Sequence, residues 1–350
     1  MKRVGDLYAT ICSWDNLEQA ARLARKRKRY RRYAEDFELK RESRLSDIRE
    51  QLLSESWKPD QYTTFTISDP KERLICAPSY PDRIVHHAIC NVIGPILERS
   101  FIDHSYSCRV GLGTGAARAR CRSLVRSHSH VLKLDVRRYF PSIDHCRLKQ
   151  KIARLIKCRP TLRLLDLIID SWRDDEPNPV WHDGDDLLAP TRRAHGLPIG
   201  ALTSQLFANL YLSRLDHYVQ ESIRPGGYVR YTDDLLVFGN DKSHLHAALD
   251  QLKSVLREEY LSPHPRKCRL HACREGVSFL GFRYWPDKVR VLRANRRRFE
   301  KRMLLLRRRV RVDGVTLREV WPSMFGWFQF IREYPANEGL VISESRHHSF

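Results

Sequence analysis

The segment Tyr231-Thr232-Asp233-Asp234 constrains this chain more than any other. It lies between two strand-like runs, Gly227 to Arg230 before it and Leu235 to Phe238 after it. Apolar residues on both sides of a short polar break read as a β-hairpin, with the two carboxylates at its tip. Well upstream, Val131-Leu132-Lys133-Leu134-Asp135 reads as an apolar strand ending in a single carboxylate. If the two strand ends meet, two or three carboxylates converge on one point. Such a cluster repels itself unless it binds divalent cations, and hard oxygen ligands are the type that Mg²⁺ selects. Two ions held in this way can clamp the attacking and leaving oxygens of a phosphoryl transfer. In isolation, two adjacent aspartates are as well explained by a tight turn that they stabilise through local hydrogen bonds.

At 350 residues the chain can bury a large core, enough for two or three subdomains. Its 63 Lys+Arg against 42 Asp+Glu leave a net charge of +21, densest at Arg22 to Arg32 and Arg293 to Arg311. A field of that size implies a polyanionic partner, nucleic acid first among them. The nine cysteines are odd in number and lack the spacing of a disulfide framework. No secretory signal or bilayer-length apolar run is evident, so a reducing cytoplasm and no membrane are expected. His264, Cys268, His271 and Cys273 match no standard zinc-finger spacing.

The hydrophobic patterning outlines the rest. Trp14 to Leu53 reads as two helices, with a basic run from Arg25 to Arg29. Gln61 to Ile67 and Arg73 to Ala77 read as strands joined by a turn at Asp69 to Glu72. Pro81 to Phe101, Leu148 to Trp172 (as a pair), Leu202 to Val219 and Leu245 to Glu259 read as helices, and Asp174 to Ala194 as a polar loop. Val277 to Trp285 and Lys288 to Leu292 read as one closing hairpin. Arg293 to Val312 reads as a basic helix with Phe299, Met303, Leu304 and Leu306 as its apolar side, followed by an aromatic-rich helix from Leu317 to Ile331. Gly111, Gly113 and Gly115 precede a helix but form no dinucleotide-binding unit.

Four segments in order carry a resemblance. They are Lys133-Leu-Asp135 through Phe140-Pro-Ser-Ile-Asp144, Gly196-Leu-Pro-Ile-Gly200 through Ser204-Gln205 to Asn209, Tyr231-Thr-Asp-Asp234, and Phe279-Leu-Gly-Phe282. They resemble the motifs of reverse transcriptases in their usual order, from about Trp57 to Trp285. The middle motif has Ile199-Gly200 and Ser204-Gln205 where group II intron and retron enzymes usually carry Gln-Gly and Ser-Pro. This is similar to the enzymes of diversity-generating retroelements, which copy a template RNA with frequent errors at adenines. Two rivals remain: a retron-type or antiphage-defence reverse transcriptase, and an RNA-binding scaffold with a vestigial polymerase centre.

The resemblance implies an α+β right-hand polymerase: a basic helical extension at 1–56, fingers at 57–130, a palm with an antiparallel sheet at 131–285 (with an insert near 174–194) and a helical thumb at 286–350. It makes Asp135, Asp233 and Asp234 the catalytic carboxylates, with the carbonyl of Val136 as a further metal ligand for two Mg²⁺ ions, Mn²⁺ being a substitute. Lys71, Arg73, Arg138, Tyr139, Phe140, Gly200 and Lys267 would contact the deoxynucleotide, Phe140 as the steric gate beneath the sugar and Lys267 as a proton donor to pyrophosphate. By residue type alone Phe140 is equally a core aromatic, and Lys71 and Arg73 a solvated turn. Ile199 and Gln205 would bear on fidelity. Arg109 and the thumb residues Arg296, Arg297 and Arg298 would contact nucleic acid. The implied partners are template RNA, primer and cDNA, deoxynucleotides and a small basic accessory protein, in a bacterial or phage-encoded system.

Overall fold

The computed structural model describes residues 2–332 except 27, 29, 69–71, 177–179 and 182–184. In chain order its strands are β1 (Thr63–Ile67), β2 (Arg73–Ala77), β3 (His130–Asp135), β4 (Gly227–Tyr231), β5 (Asp234–Gly239), β6 (Arg269–Ala272), β7 (Val277–Phe279), β8 (Phe282–Tyr284) and β9 (Val289–Val291). They form three antiparallel sheets: β1-β2, a central β4-β5-β3-β6, and β7-β8-β9. With helices packed around the sheets, this is the expected α+β polymerase architecture.

Side chains alternate across a strand, and the central sheet uses both of its faces. Leu132, Leu134, Tyr228, Leu235 and Val237 enter a large core shared with the helices Tyr80–Glu98, Leu202–Tyr211 and Lys242–Glu258. Val131, Val229, Leu236 and Phe238 enter a second core, built with the helix Thr114–Ser127 and the β7-β8-β9 sheet. A strand covered on both sides has no reason to alternate polar and apolar residues, which is why these segments read as near-continuous apolar runs. Each fully buried Leu or Val contributes roughly 1.5–3 kcal/mol relative to exposure. The polar intruders follow the same parity: Lys133 shares the face of Val131, and Arg230 that of Tyr228.

Three expectations need correcting. Trp14 to Leu53 contains three helices, Trp14–Arg25, Arg32–Glu38 and Arg41–Leu53. The first stops where the basic run begins, and neighbouring like charges on a helix surface oppose its continuation. The closing hairpin is a three-stranded sheet, because Leu280 (φ 44°) and Gly281 (φ 90°) form an extra two-residue turn between β7 and β8. Positive φ at both positions suits the twist of a tight hairpin, but the leucine hides the signal. On the helix Arg293–Val312, Leu306 is buried whereas Leu304 is 65% exposed. The inward stripe is Phe299, Met303, Leu306 and Val310, at helical i, i+4, i+7 and i+11 spacing. The second thumb helix runs Leu317–Arg332, and the remainder of the proposed thumb lies outside the described residues. No helix among the described residues is long and apolar enough to cross a membrane.

Candidate active site

The register of the central sheet brings the aspartates together. Asp135, at the end of β3, is the direct cross-strand partner of Asp234, at the start of β5. Asp234 also pairs with Tyr231 of β4, leaving Thr232 and Asp233 as a two-residue turn. The backbone N–H of Val136 donates to the carbonyl of Asp233 at 3.3 Å, tying the turn to the end of β3. Cross-strand partners share a face, so Asp135 and Asp234 project on the same side.

Two of the three carboxylates face lysines. Lys267 Nζ lies 2.7 Å from both oxygens of Asp135. It is delivered there by a loop anchored to the same strand end, with His264 N–H donating to the Asp135 carbonyl at 2.7 Å and Arg137 N–H to the Ser262 carbonyl at 2.8 Å. Lys133 Nζ lies 3.1 and 3.2 Å from the oxygens of Asp234 and donates to the Ser278 carbonyl at 2.9 Å. The carboxyl of Asp233 is pushed up to about 6, first by burial and then by the charge of Asp135, with Asp234 adding to it. Burial also raises Asp234, against the pull of Lys133.

Among the described residues no three His, Cys, Asp or Glu side chains are already gathered into a metal-holding set. The donor chemistry nonetheless fits a hard divalent cation: three carboxylates at one sheet end, two of them raised in proton affinity by burial and like charge. A cation bound at Asp135 has to displace Lys267.

The other expected site residues divide. Phe140 is half-buried at the edge of the large core, its ring 5.7 Å from that of Tyr139. Tyr139 itself is core: it is buried and its hydroxyl donates to the Ala208 carbonyl, so its side chain is not available to a nucleotide. Arg138, at φ 46°, pairs with Asp174 at 2.7 Å and with Glu176. Gly200 has φ 134°, and a Cβ there would meet the Cys76 carbonyl at 2.8 Å, so only glycine fits against β2. Beside it the Ile199 carbonyl accepts from Cys76 N–H at 2.8 Å, and the Ile199 side chain is half-buried. Gln205 is exposed on the helix Leu202–Tyr211, and Arg73 is exposed at the start of β2. Lys71 lies outside the described residues. Arg109 is half-buried: Nη1 donates to the carbonyls of Ile102 and Ser105 at 2.6 and 2.9 Å and the guanidinium lies over Phe101, so it braces a loop. Arg296, Arg297 and Arg298 are exposed on the first thumb helix.

Sequence reasoning missed Lys133 and the buried pair of Arg230 and Asp216 behind the turn. The one available signal was a cation inside each of two apolar strands.

A family model described as reverse transcriptase (RNA-dependent DNA polymerase) matches residues 58–284. The chain belongs to the reverse transcriptase family. It is 23% identical to Protein YkfC of Escherichia coli (strain K12), over 78% of this chain and 82% of that one. It is 27% identical to the retron Mx65 reverse transcriptase of Myxococcus xanthus, over 60% of this chain and 48% of that enzyme, so it spans about half the length of that relative. The solved structure of apo telomerase from Candida tropicalis, truncated from its C-terminal domain, aligns with a TM-score of 0.47 at 13% identity, over 69% of this reverse transcriptase and 58% of the telomerase chain.

Proposed function

We propose that this reverse transcriptase makes cDNA from a structured template RNA within a diversity-generating retroelement, with errors concentrated at adenines. The reading rests on Ile199-Gly200 and Ser204-Gln205 in the middle motif. It is supported by the placement of Ile199, whose backbone is bonded to β2 beside a glycine that admits no side chain. An apolar side chain next to the nascent base pair leaves no buried hydrogen-bonding group unpaired by a mismatch, so wrong geometry is rejected less strongly.

In this reading Asp135 and Asp233 hold two Mg²⁺ ions, or Mn²⁺ in their place, with Asp234 and the Val136 carbonyl in support. The ions supply Lewis-acid stabilisation at the attacking and leaving oxygens of nucleotidyl transfer. Lys71 and Arg73 hold the triphosphate. Arg138 reaches it by exchanging its pairing with Asp174 and Glu176 for phosphate. Phe140 occupies the space of a ribose 2′-hydroxyl. Lys267, once displaced from Asp135, protonates the departing pyrophosphate. The exposed Arg296, Arg297 and Arg298 grip nucleic acid, and the divisions at 56, 130 and 285 separate extension, fingers, palm and thumb. A small basic accessory protein completes the system in a bacterial cytoplasm.

Primer extension on a defined RNA, followed by deep sequencing of the cDNA, tests the reading. The expected result is misincorporation enriched at template adenines and reduced by Ile199→Gln. Adenines copied as faithfully as the other bases overturn the retroelement assignment. The similarity to a retron enzyme supports a second reading, retron-type synthesis. Flanking DNA that encodes a retron RNA, rather than a template repeat and a variable repeat, favours that alternative.

A further inference from the structure

The turn that carries Asp233 is held from beneath by polar groups that have no task in the chemistry above. Arg230 and Asp216 form an ion pair with both side chains at 0% exposure. Nε reaches Asp216 Oδ1 at 2.7 Å and Nη2 reaches Oδ2 at 2.6 Å, and the Tyr228 hydroxyl donates to Oδ1 at 2.8 Å. Burying two charges costs several kcal/mol per ion, and well-packed apolar residues in their place are often as stabilising or more so. Stability alone is a weak reason to place this pair inside a core.

The remaining nitrogen of the guanidinium gives a stronger one. Arg230 Nη1 donates to the carbonyl of Thr232 at 3.0 Å and lies 3.3 Å from Asn209 Oδ1. Thr232 Oγ1 donates to Ser107 Oγ at 2.7 Å, and Asn209 Nδ2 donates to the Ser107 carbonyl at 2.6 Å. The Ser107 segment is itself docked along β4: Tyr106 N–H donates to the Arg230 carbonyl at 3.0 Å, and Arg230 N–H to the His104 carbonyl at 2.9 Å. Carbonyl and hydroxyl of Thr232 are thus both held, each by a different partner.

Thr232 has φ 58°. A β-branched residue in that region costs on the order of 1–3 kcal/mol and persists only where its surroundings over-determine it. Here those surroundings are Arg230, Ser107 and Asn209.

We propose that Arg230 and Ser107 are positioning residues that hold Thr232 in its left-handed conformation and so preset Asp233 for the reaction. The inference rests on the reading of Asp233 as a metal-holding carboxylate. Asp216 fixes the plane of the guanidinium, the guanidinium fixes the Thr232 carbonyl, Ser107 fixes its hydroxyl, and Asp233 is the next residue along the chain. Arginine suits the post because its fork reaches Asp216 with two nitrogens and Thr232 with a third, which a single ammonium at the end of a lysine cannot match.

The test uses Thr232→Gly, Ser107→Ala and Arg230→Lys in the full chain, with parent and Asp233→Asn as references. Glycine adopts φ 58° without strain, so Thr232→Gly keeps the fold while removing the hydroxyl and the rigidity. The expected result is a kcat lowered roughly 10- to 100-fold, as misplacement of a reacting group produces. Deoxynucleotide KM should stay within about twofold and thermal stability should be unchanged or higher. Ser107→Ala should lower kcat as well, and its combination with Thr232→Gly should be less than additive, because both act through one hydrogen bond. If Arg230→Lys does not fold, the other two variants decide. Parental kcat in Thr232→Gly, or kcat losses that merely track melting temperature across the set, overturn the proposal. Full activity in Asp233→Asn is a different failure: it removes the reading of the site itself.

Discussion

Lys267 holds both carboxylate oxygens of Asp135 at 2.7 Å, so an ammonium group covers the carboxylate proposed to contact both metal ions. Lysine and cation cannot occupy that face together. Lys267→Met should therefore tighten Mg²⁺ binding in the absence of nucleotide, by up to about 10-fold if the pair is worth about 1.4 kcal/mol. Titration calorimetry with Mg²⁺ on parent and variant measures it, with Asp135→Asn as the control that should bind weakly in either background. Equal affinities would show that Lys267 does not compete.

Asp233→Asn should abolish DNA synthesis and yet stabilise the metal-free fold at neutral pH. The carboxyl of Asp233 sits at about 6 in the folded chain against an ordinary 3.8. A raised value means that its favourable contribution is present below about pH 3.8 and lost as pH rises through 6, so at pH 7 its charge is a burden of roughly 1–3 kcal/mol. Chemical denaturation in EDTA at pH 7 should show the variant more stable, with the difference closing near pH 4.

His86 slopes the other way. It is buried with Nδ1 2.9 Å from Thr203 Oγ1, and burial pushes its imidazole down to about 4 from 6.5. Between those values the unfolded chain takes up a proton that the folded chain refuses, so stability falls as pH drops from 6.5 toward 4. His86→Gln should flatten that limb of the stability profile. The comparison is cleanest in the Asp233→Asn background, where the opposing titration is gone.

Phe140→Ala should admit ribonucleotides more readily, by at least about 10-fold in the dATP to ATP selectivity ratio if the ring fills the space of a 2′-hydroxyl. The ring also packs against the large core, so a cost of roughly 1–3 kcal/mol in stability accompanies the change. Selectivity equal to the parent's, at a temperature where both are folded, would assign Phe140 to the core alone.

RNA affinity should fall steeply with salt. Replacing Arg296, Arg297 and Arg298 together by glutamine should reduce the slope of log affinity against log salt by up to roughly 2 to 3 units, on the order of 0.7 to 0.9 for each phosphate left unneutralised. Filter binding across a salt series reads the slope directly. An unchanged slope would free this helix face from nucleic acid.

The aspartates, the strands that carry them and the two thumb helices were legible because each rests on a local pattern: apolar runs, a polar break, a basic helix of even period. What escaped depends on register. Nothing near Lys133 in sequence says that strand parity points it at Asp234, and fourteen positions separate Asp216 from the Arg230 it neutralises. Tyr139 and Arg109 look like ligands by type, yet a backbone carbonyl from a distant helix takes the tyrosine hydroxyl and two nearby carbonyls take the guanidinium. Leu280 disguised a turn because residues with positive φ are usually sought among Gly, Asn and Asp.

The sandwiching of β3 and β5 between two cores has a consequence for how such an enzyme can diverge. A change at any interior position of either strand is felt by one core or the other, so mutational drift in the strands that aim the acids is severely filtered. Gln205 stands on an exposed helix face and Ile199 is only half-enclosed, so both lie where exchange is cheap. In the proposed reading, where Ile199 and Gln205 bear on fidelity, selection can retune copying accuracy at these two positions while the strands that carry the aspartates stay fixed.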